Sequence, residues 1–519
     1  MSTSLSSANR IAKNTLFLYL RSFVIMAITI YTSRVVLKTL GVEDYGVYNL
    51  VGGVVALFSS LKGVFSSAIQ RYLNYTRGLG DEEGVKHIFS LSIIVQAILA
   101  LVFFVIVECF GIWFIPNKLV IPEGMTGITM FVFHCSVISS VISIISVPYD
   151  ALVIANEKMD YYAYISIIEA VLRLAIVFLL PTFPFVPLIS YALLLLAVRL
   201  LIVVSNMFYC KRFPECKVEK YWNKGLFKQL ASFSGWNFLG NMVYTLIQEG
   251  TNIILNLFAG VVANAARAIA LQVRTALETL SSNISTASKP FIMQQAATVD
   301  KKTLFNYIYT LSSVMFYVLL ITTTPIIVYA KQILEIWLVE IPNYSISFVR
   351  VIMLYVLTRS LHAPIDMLFF AVGNIKRYQI TECIIGVFTF PIVYLFLYFG
   401  LPPYFAFVAM IIVEIINLIA IVLVAQKELH FRLTDYIKEV IVKCALAFVI
   451  VAPVALLFYS FTNDVNRYYS LICIVLLFCV ELLLIYYIVL KDKEKQLILN
   501  LFAKVKNRKN NQTESNEKH

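Results

Sequence analysis

"TSRVVLKTLGVEDYGVYNLV", Thr32 to Val51, sets a short polar stretch between two long apolar runs. Glu43 and Asp44 stand side by side in it, flanked by Gly41 and Gly46. Glycine reaches backbone conformations closed to other residues, so the pair of glycines marks a sharp bend. The pattern predicts two membrane-spanning helices, 14–38 and 45–70, meeting over a short turn at the membrane surface. The acids at such a turn sit in the wet outer rim and are not catalysts.

The same alternation runs through the whole chain. Of 519 residues, 60% are hydrophobic and only 14% charged, against about 25% charged in soluble domains. The mean hydropathy is +0.83. Apolar stretches of about 20 residues recur, each long enough to cross a hydrocarbon core of ~30 Å as a helix. The first apolar run lacks a small-residue cleavage site, so it is expected to stay as a spanning helix. Fourteen candidate spans emerge between residues 14 and 490. The expected fold is an all-α polytopic membrane protein.

Charge orients the spans. Of the 42 Lys and Arg, 29 fall on one set of connections and termini, 4 on the other, and 9 within spans. Positive residues mark the cytoplasmic side, so both termini are expected in the cytoplasm. The net charge of +12 therefore reflects topology, and no nucleic-acid partner is expected. The tail from residue 491 is basic, then polar, and suits contact with anionic lipid. Outer connections are short, and no phosphate-binding loop of the Walker type is present. The eight cysteines lack metal spacing, and Cys210 and Cys216 read as structural. The five histidines are scattered, and no hydrolytic or transfer constellation forms. No enzyme activity, cofactor or metal is expected.

A shift of 219 residues lays Thr32–Val51 on "TNIILNLFAGVVANAARAIA", Thr251–Ala270, and pairs Gly41 with Gly260. Ser22, Thr29 and Ser33 fall on Asn241, Gln248 and Asn252, and Tyr48, Ser59, Lys62 and Ser66 fall on Arg267, Glu278, Ser281 and Ser285. Spacings of 4, 7 and 11 keep such residues on one helical face. Six spans separate the copies, so the repeat is parallel. The expected architecture is two six-helix lobes, 1–219 and 220–430, related by a pseudo-two-fold around a central cavity. Two extra helices at 431–490 and the tail at 491–519 follow.

Charges inside spans cost at least ~2.5–3.5 kcal/mol on insertion scales and should face a cavity or a partner. Lys62 has no acid within four residues, and Arg21 adjoins a polar stripe. Arg267, Arg274 and Glu278 share one face, with a local Arg274–Glu278 pair as the competing reading. Arg267 lies close enough to the outer turn to snorkel. Arg359, His362 and Asp366 lie on one face beside Pro364, as a proton relay or a hinge. Glu249 is a candidate coupling carboxylate. Glu169 and Arg173 read as a self-satisfied pair, and Glu382, Glu414 and Glu481 have no evident partner.

Four segments carry a resemblance: "NTLFLYLRSF" (Asn14–Phe23), the opening stretch, "SSAIQRYLNYTRGLGD" (Ser66–Asp81) and "SFSGWNFLGNMVYTLIQEGTN" (Ser232–Asn252). Over about residues 10–490 the chain resembles the polysaccharide flippases that export O-antigen and other repeat units. These belong to the multidrug/oligosaccharidyl-lipid/polysaccharide exporter superfamily. The resemblance implies alternating access in a bacterial inner membrane. It implies an undecaprenyl-pyrophosphate-linked oligosaccharide as substrate, as in lipopolysaccharide assembly, and a polysaccharide polymerase among the partners. Lys62, Arg267, Arg274, Arg21 and Arg359 would meet the pyrophosphate. Glu278, Glu249 and Asp366 would couple transport to a proton or sodium gradient. The alternative is a cation-coupled multidrug exporter of the same superfamily, for which acids rather than bases should line the path.

Overall fold

The computed structural model describes residues 24–56, 81–156, 158–183, 186–217, 221–296, 301–372, 375–462 and 467–490, with a few single positions besides. Lys62 and Arg21, with Ser22, Ser59 and Ser66, lie outside the described residues. Among the described residues the regular structure is helical, and 12 helices are long and apolar enough to cross a membrane.

The chain forms α1 (Val24–Ala56), α2 (Glu82–Lys118), α3 (Thr126–Ile145), α4 (Val147–Ala155), α5 (Met159–Leu179) and α6 (Pro187–Cys210). Next come α7 (Lys224–Ala296), α8 (Lys301–Val328), α9 (Ala330–Trp337), α10 (Ser345–Val372) and α11 (Ile375–Val387). Then follow α12 (Thr389–Tyr398), α13 (Phe405–Leu429), α14 (Leu433–Tyr436), α15 (Val442–Thr462) and α16 (Arg467–Leu484). Single π turns occupy Ile437–Ile441 and Ile485–Val489.

The expected turn after residue 38 is not a loop. Helix continues through it, so two expected spans merge into α1, and two more merge into α7. Each merger holds one left-handed glycine: Gly41 at φ 81° and Gly260 at φ 70°. These are the two positions paired by the 219-residue shift. Gly260, with ψ −173°, sits in a region open to glycine alone. The difference between fourteen expected spans and twelve helices is this direct abutment at two bends.

Local signals fix the other ends. The Asp81 carboxylate accepts the Gly84 N–H at 2.8 Å and caps α2. Pro187 opens α6, and His430 closes α13 in the left-handed region at φ 61°. Small residues allow close packing: a Cβ on Gly111 would lie 2.0 Å from the Phe133 ring, and one on Gly46 would lie 2.2 Å from the Val261 carbonyl oxygen.

The chain divides into two compact units. The first comprises Met1–Ala268 with Trp337–Asn343, and the second Ile269–Ile336 with Tyr344–His519. The division falls within α7. In the first unit, α2 packs on α3, α3 on α6 and α5 on α6; in the second, α8 and α13 pack on α10, and the α15–α16 hairpin packs on α8.

Candidate functional site

In the first unit the bend at Gly260 is bound by carboxamides. Asn264 Nδ2 donates to the backbone and side-chain oxygens of Asn252, both at 2.8 Å. Asn256 Nδ2 donates to the Val120 carbonyl at 3.0 Å, and the Val120 N–H donates back to Asn256 Oδ1 at 2.9 Å. The asparagines therefore tie the two arms of the bend to each other and hold the backbone of Val120, just past the end of α2.

Arg267 lies under this bend and is 4% exposed. Its Nη2 donates to the Gln248 carbonyl at 2.5 Å, and Nη1 lies 3.9 Å from Glu249 Oε2. The guanidinium does not snorkel, because it is buried against Gln248 and Glu249 on the first arm of α7. Glu249 also accepts from Asn252 at 3.5 Å. The candidate cation and the candidate coupling acid are thus each other's partners.

Also in the first unit, Arg173 Nη2 donates to Glu169 at 2.6 Å, as the i,i+4 spacing predicts. The pair is not closed on itself: Arg199 Nη1 of α6 lies 3.9 Å from the other Glu169 oxygen. Arg199 Nη2 donates to Ser146 Oγ at 3.2 Å, Ser146 donates to Asp150, and Asp150 accepts from Asn206 at 2.8 Å. Tyr161 completes this chain by donating to Asn206 at 2.9 Å. Cys210 packs in the apolar cluster of Phe89 and Leu152. Burial pushes the Cys216 thiol above its ordinary value, against the pull of Lys211.

In the second unit, Arg274 Nε donates to Glu278 Oε1 at 2.7 Å, and the guanidinium stands 4.7 Å over the Tyr355 ring. The Arg274 side chain is 5% exposed and that of Glu278 is 39%. The local pair is formed, yet its acid end stays open.

The densest charge cluster forms where α10, α11 and α13 meet. Arg359 Nη2 donates to Asp366 at 2.9 Å and lies 3.4 Å from Glu382, while Nη1 donates to Glu414 at 3.2 Å. His362, wholly buried, places Nε2 3.0 Å from Asp366. His362 Nδ1 lies 2.8 Å from Glu414 Oε1 and 2.5 Å from Arg359 Nη1. One ring nitrogen therefore faces an acceptor and a donor together, so its proton decides which neighbour it binds. Three carboxylates surround one guanidinium and one imidazole. Tyr378 packs its ring 6.4 Å from that of His362.

The Arg359, His362 and Asp366 face was read from spacing alone. Spacing gives Glu382 and Glu414 no partner, because theirs, Arg359, lies on another helix and 3.6-residue periodicity does not cross helices. Glu414, set among apolar residues from Val408 to Ile416 of α13, is a signal in itself. The structure brings together Arg267 with Glu249, Arg274 with Glu278, and Arg359 with Asp366. These are three separate groups, the first in one compact unit and the other two in the second.

No curated protein sequence matches the chain. Among solved structures, the lipid II flippase MurJ in an inward closed conformation superposes with a TM-score of 0.68 at 14% identity, over 91% of this chain and 99% of that one. An inward-facing multidrug resistance MATE family transporter superposes at 0.65 and 14% identity, over 79% and 97%. A transporter from Pyrococcus furiosus, noted for reverse polarity of its binding pocket, superposes at 0.58 and 15% identity, over 80% and 95%. At such identities the likeness establishes the fold alone, one shared with these transporters. Residues 11–296, more than half of the 519, match the polysaccharide biosynthesis protein family, and the chain belongs to that family.

Proposed function

We propose that the protein is an alternating-access transporter that flips an undecaprenyl-pyrophosphate-linked oligosaccharide across the bacterial inner membrane, with both termini cytoplasmic. Coupling to a proton or sodium gradient runs through the cluster of Arg359, His362, Asp366, Glu382 and Glu414. The observation that carries the proposal is the charge count of that cluster. Two basic groups face three acids, so the site holds surplus negative charge even with His362 protonated. A bound cation balances it, and its release lets Arg359 and His362 redistribute among the acids.

The pyrophosphate meets Arg274. An incoming diphosphate competes with Glu278 for the guanidinium, and bidentate phosphate contacts are among the strongest that arginine makes. Glu278, half open already, then turns to water. Lys62, Arg21 and Arg267 are further candidate contacts for the pyrophosphate, Arg267 once Glu249 lets go of it. The paired left-handed glycines support the two-lobe repeat. A polymerase that receives the exported repeat unit is the expected partner.

A second reading, a cation-coupled multidrug exporter, draws support from the same surplus of acid, which would suit a cationic drug. Reconstitution separates the two. In proteoliposomes with an imposed pH or sodium gradient, a fluorescent undecaprenyl-pyrophosphate oligosaccharide should be flipped and ethidium should not be moved. Asp366→Asn should slow gradient-driven flipping by about tenfold or more, equivalent to ~1.4 kcal/mol in the barrier. Gradient-driven ethidium movement without flipping would favour the exporter.

A further inference from the structure

The α15–α16 hairpin holds an ionisable group that the proposed transport cycle leaves unused. One seam of α16 is buried at Ser470, Leu477 and Glu481, and it continues to Ile485 in the π turn. Leu477 packs with Val328 at the end of α8, Tyr329 just past it and Ala455 of α15. Glu481 is one helical turn further along that seam. It is 0% exposed, and neither carboxyl oxygen has a hydrogen-bond partner.

The packed helices offer it no counter-charge. Their buried titratable groups are Tyr309 and Tyr317 on α8, Tyr329 just past its end, and Cys444 on α15. The cation of α15, Lys443, is held by Glu439 at 2.8 Å. The cations of α8, Lys301 and Lys302, stand at its first turn, and Arg467 opens α16 fourteen residues before Glu481. None is bonded to the carboxyl. An ionised carboxylate without donors in a dry seam costs several kcal/mol. The neutral acid costs far less.

We propose that Glu481 is a proton-binding site, and that its proton locks the α15–α16 hairpin onto α8. With the seam closed the side chain is a carboxylic acid. With the seam open to water it ionises at neutral pH like any exposed glutamate. Closing the seam therefore takes up one proton. Low pH favours the closed hairpin, and rising pH loosens it.

Dicyclohexylcarbodiimide, an apolar reagent, tests the protonation directly. A protonated carboxyl adds across its C=N bond and rearranges to an N-acylurea, with no other reactant. Full-length protein in lipid nanodiscs at pH 7 should give an adduct at Glu481, mapped by peptide mass spectrometry, and the yield should fall as the pH is raised. Absence of the adduct at pH 6 to 7 overturns the proposal. Amide hydrogen exchange, corrected for intrinsic rates, provides the second readout. Protection of α16 should decline with pH in the native chain and stay flat in Glu481→Gln. An equal pH dependence in both proteins also overturns it. Neither readout requires the transported substrate.

Discussion

At the scale of single residues, partners outweigh positions. Arg359 and Glu382 belong to one cluster but should respond differently to removal. Arg359→Ala leaves Asp366 and Glu414 buried without their guanidinium, and breaking such a network costs ~3–5 kcal/mol. The midpoint of thermal unfolding in detergent should drop sharply. Glu382, with 31% of its side chain exposed, is screened. Glu382→Gln should shift stability by less than about 1 kcal/mol on the same measurement. Asn264→Ala removes both bonds to Asn252 and strands buried polar atoms, for a loss of ~1–3 kcal/mol. Much of this was legible in part. The sequence exposed Arg359 and Asp366 through their shared face, and Arg274 with Glu278 through i,i+4 spacing. It hid Glu414, 55 residues from Arg359, because only folded contact pairs them.

At the scale of elements, the bends in α1 and α7 repay attention. Gly41 and Gly260 were matched by a shift that otherwise kept few identities, and both adopt positive φ. Backbone requirement survives divergence better than side-chain identity, so a weak repeat was readable at its glycines. What the sequence misread was the bend itself: polar residues and glycine suggested a loop, whereas glycine lets two helices join without one. Gly260→Ala should cost ~1–3 kcal/mol for the forbidden backbone geometry. Gly46→Ala should cost a similar ~1–3 kcal/mol for a different reason, since its methyl would strike the Val261 backbone. Gly127→Ala, in the first turn of α3 with nothing within 4 Å, should be neutral within ~0.5 kcal/mol. Unfolding midpoints of the three variants should fall into those two classes.

At the scale of the whole molecule, apolar periodicity sufficed for the fold class because lipid leaves a helix few alternatives. The bias of 29 basic residues against 4 predicts the orientation. In intact cells a membrane-impermeant maleimide should leave Cys216 unmodified until the membrane is permeabilised, whereas Asn343→Cys should react at once. The reverse pattern would invert the topology. The cut between the two compact units falls within α7 and depends on packing that no local pattern encodes. The mutual bonds between Asn256 and Val120 have a consequence for biogenesis. The ribosome delivers Val120 136 residues before the side chain that engages it. The hairpin of α2 and α3 thus enters the bilayer with its latch undone, and fastening waits for α7. A nascent chain released before Asn256 keeps that latch open, which gives membrane quality control a mark of unfinished synthesis.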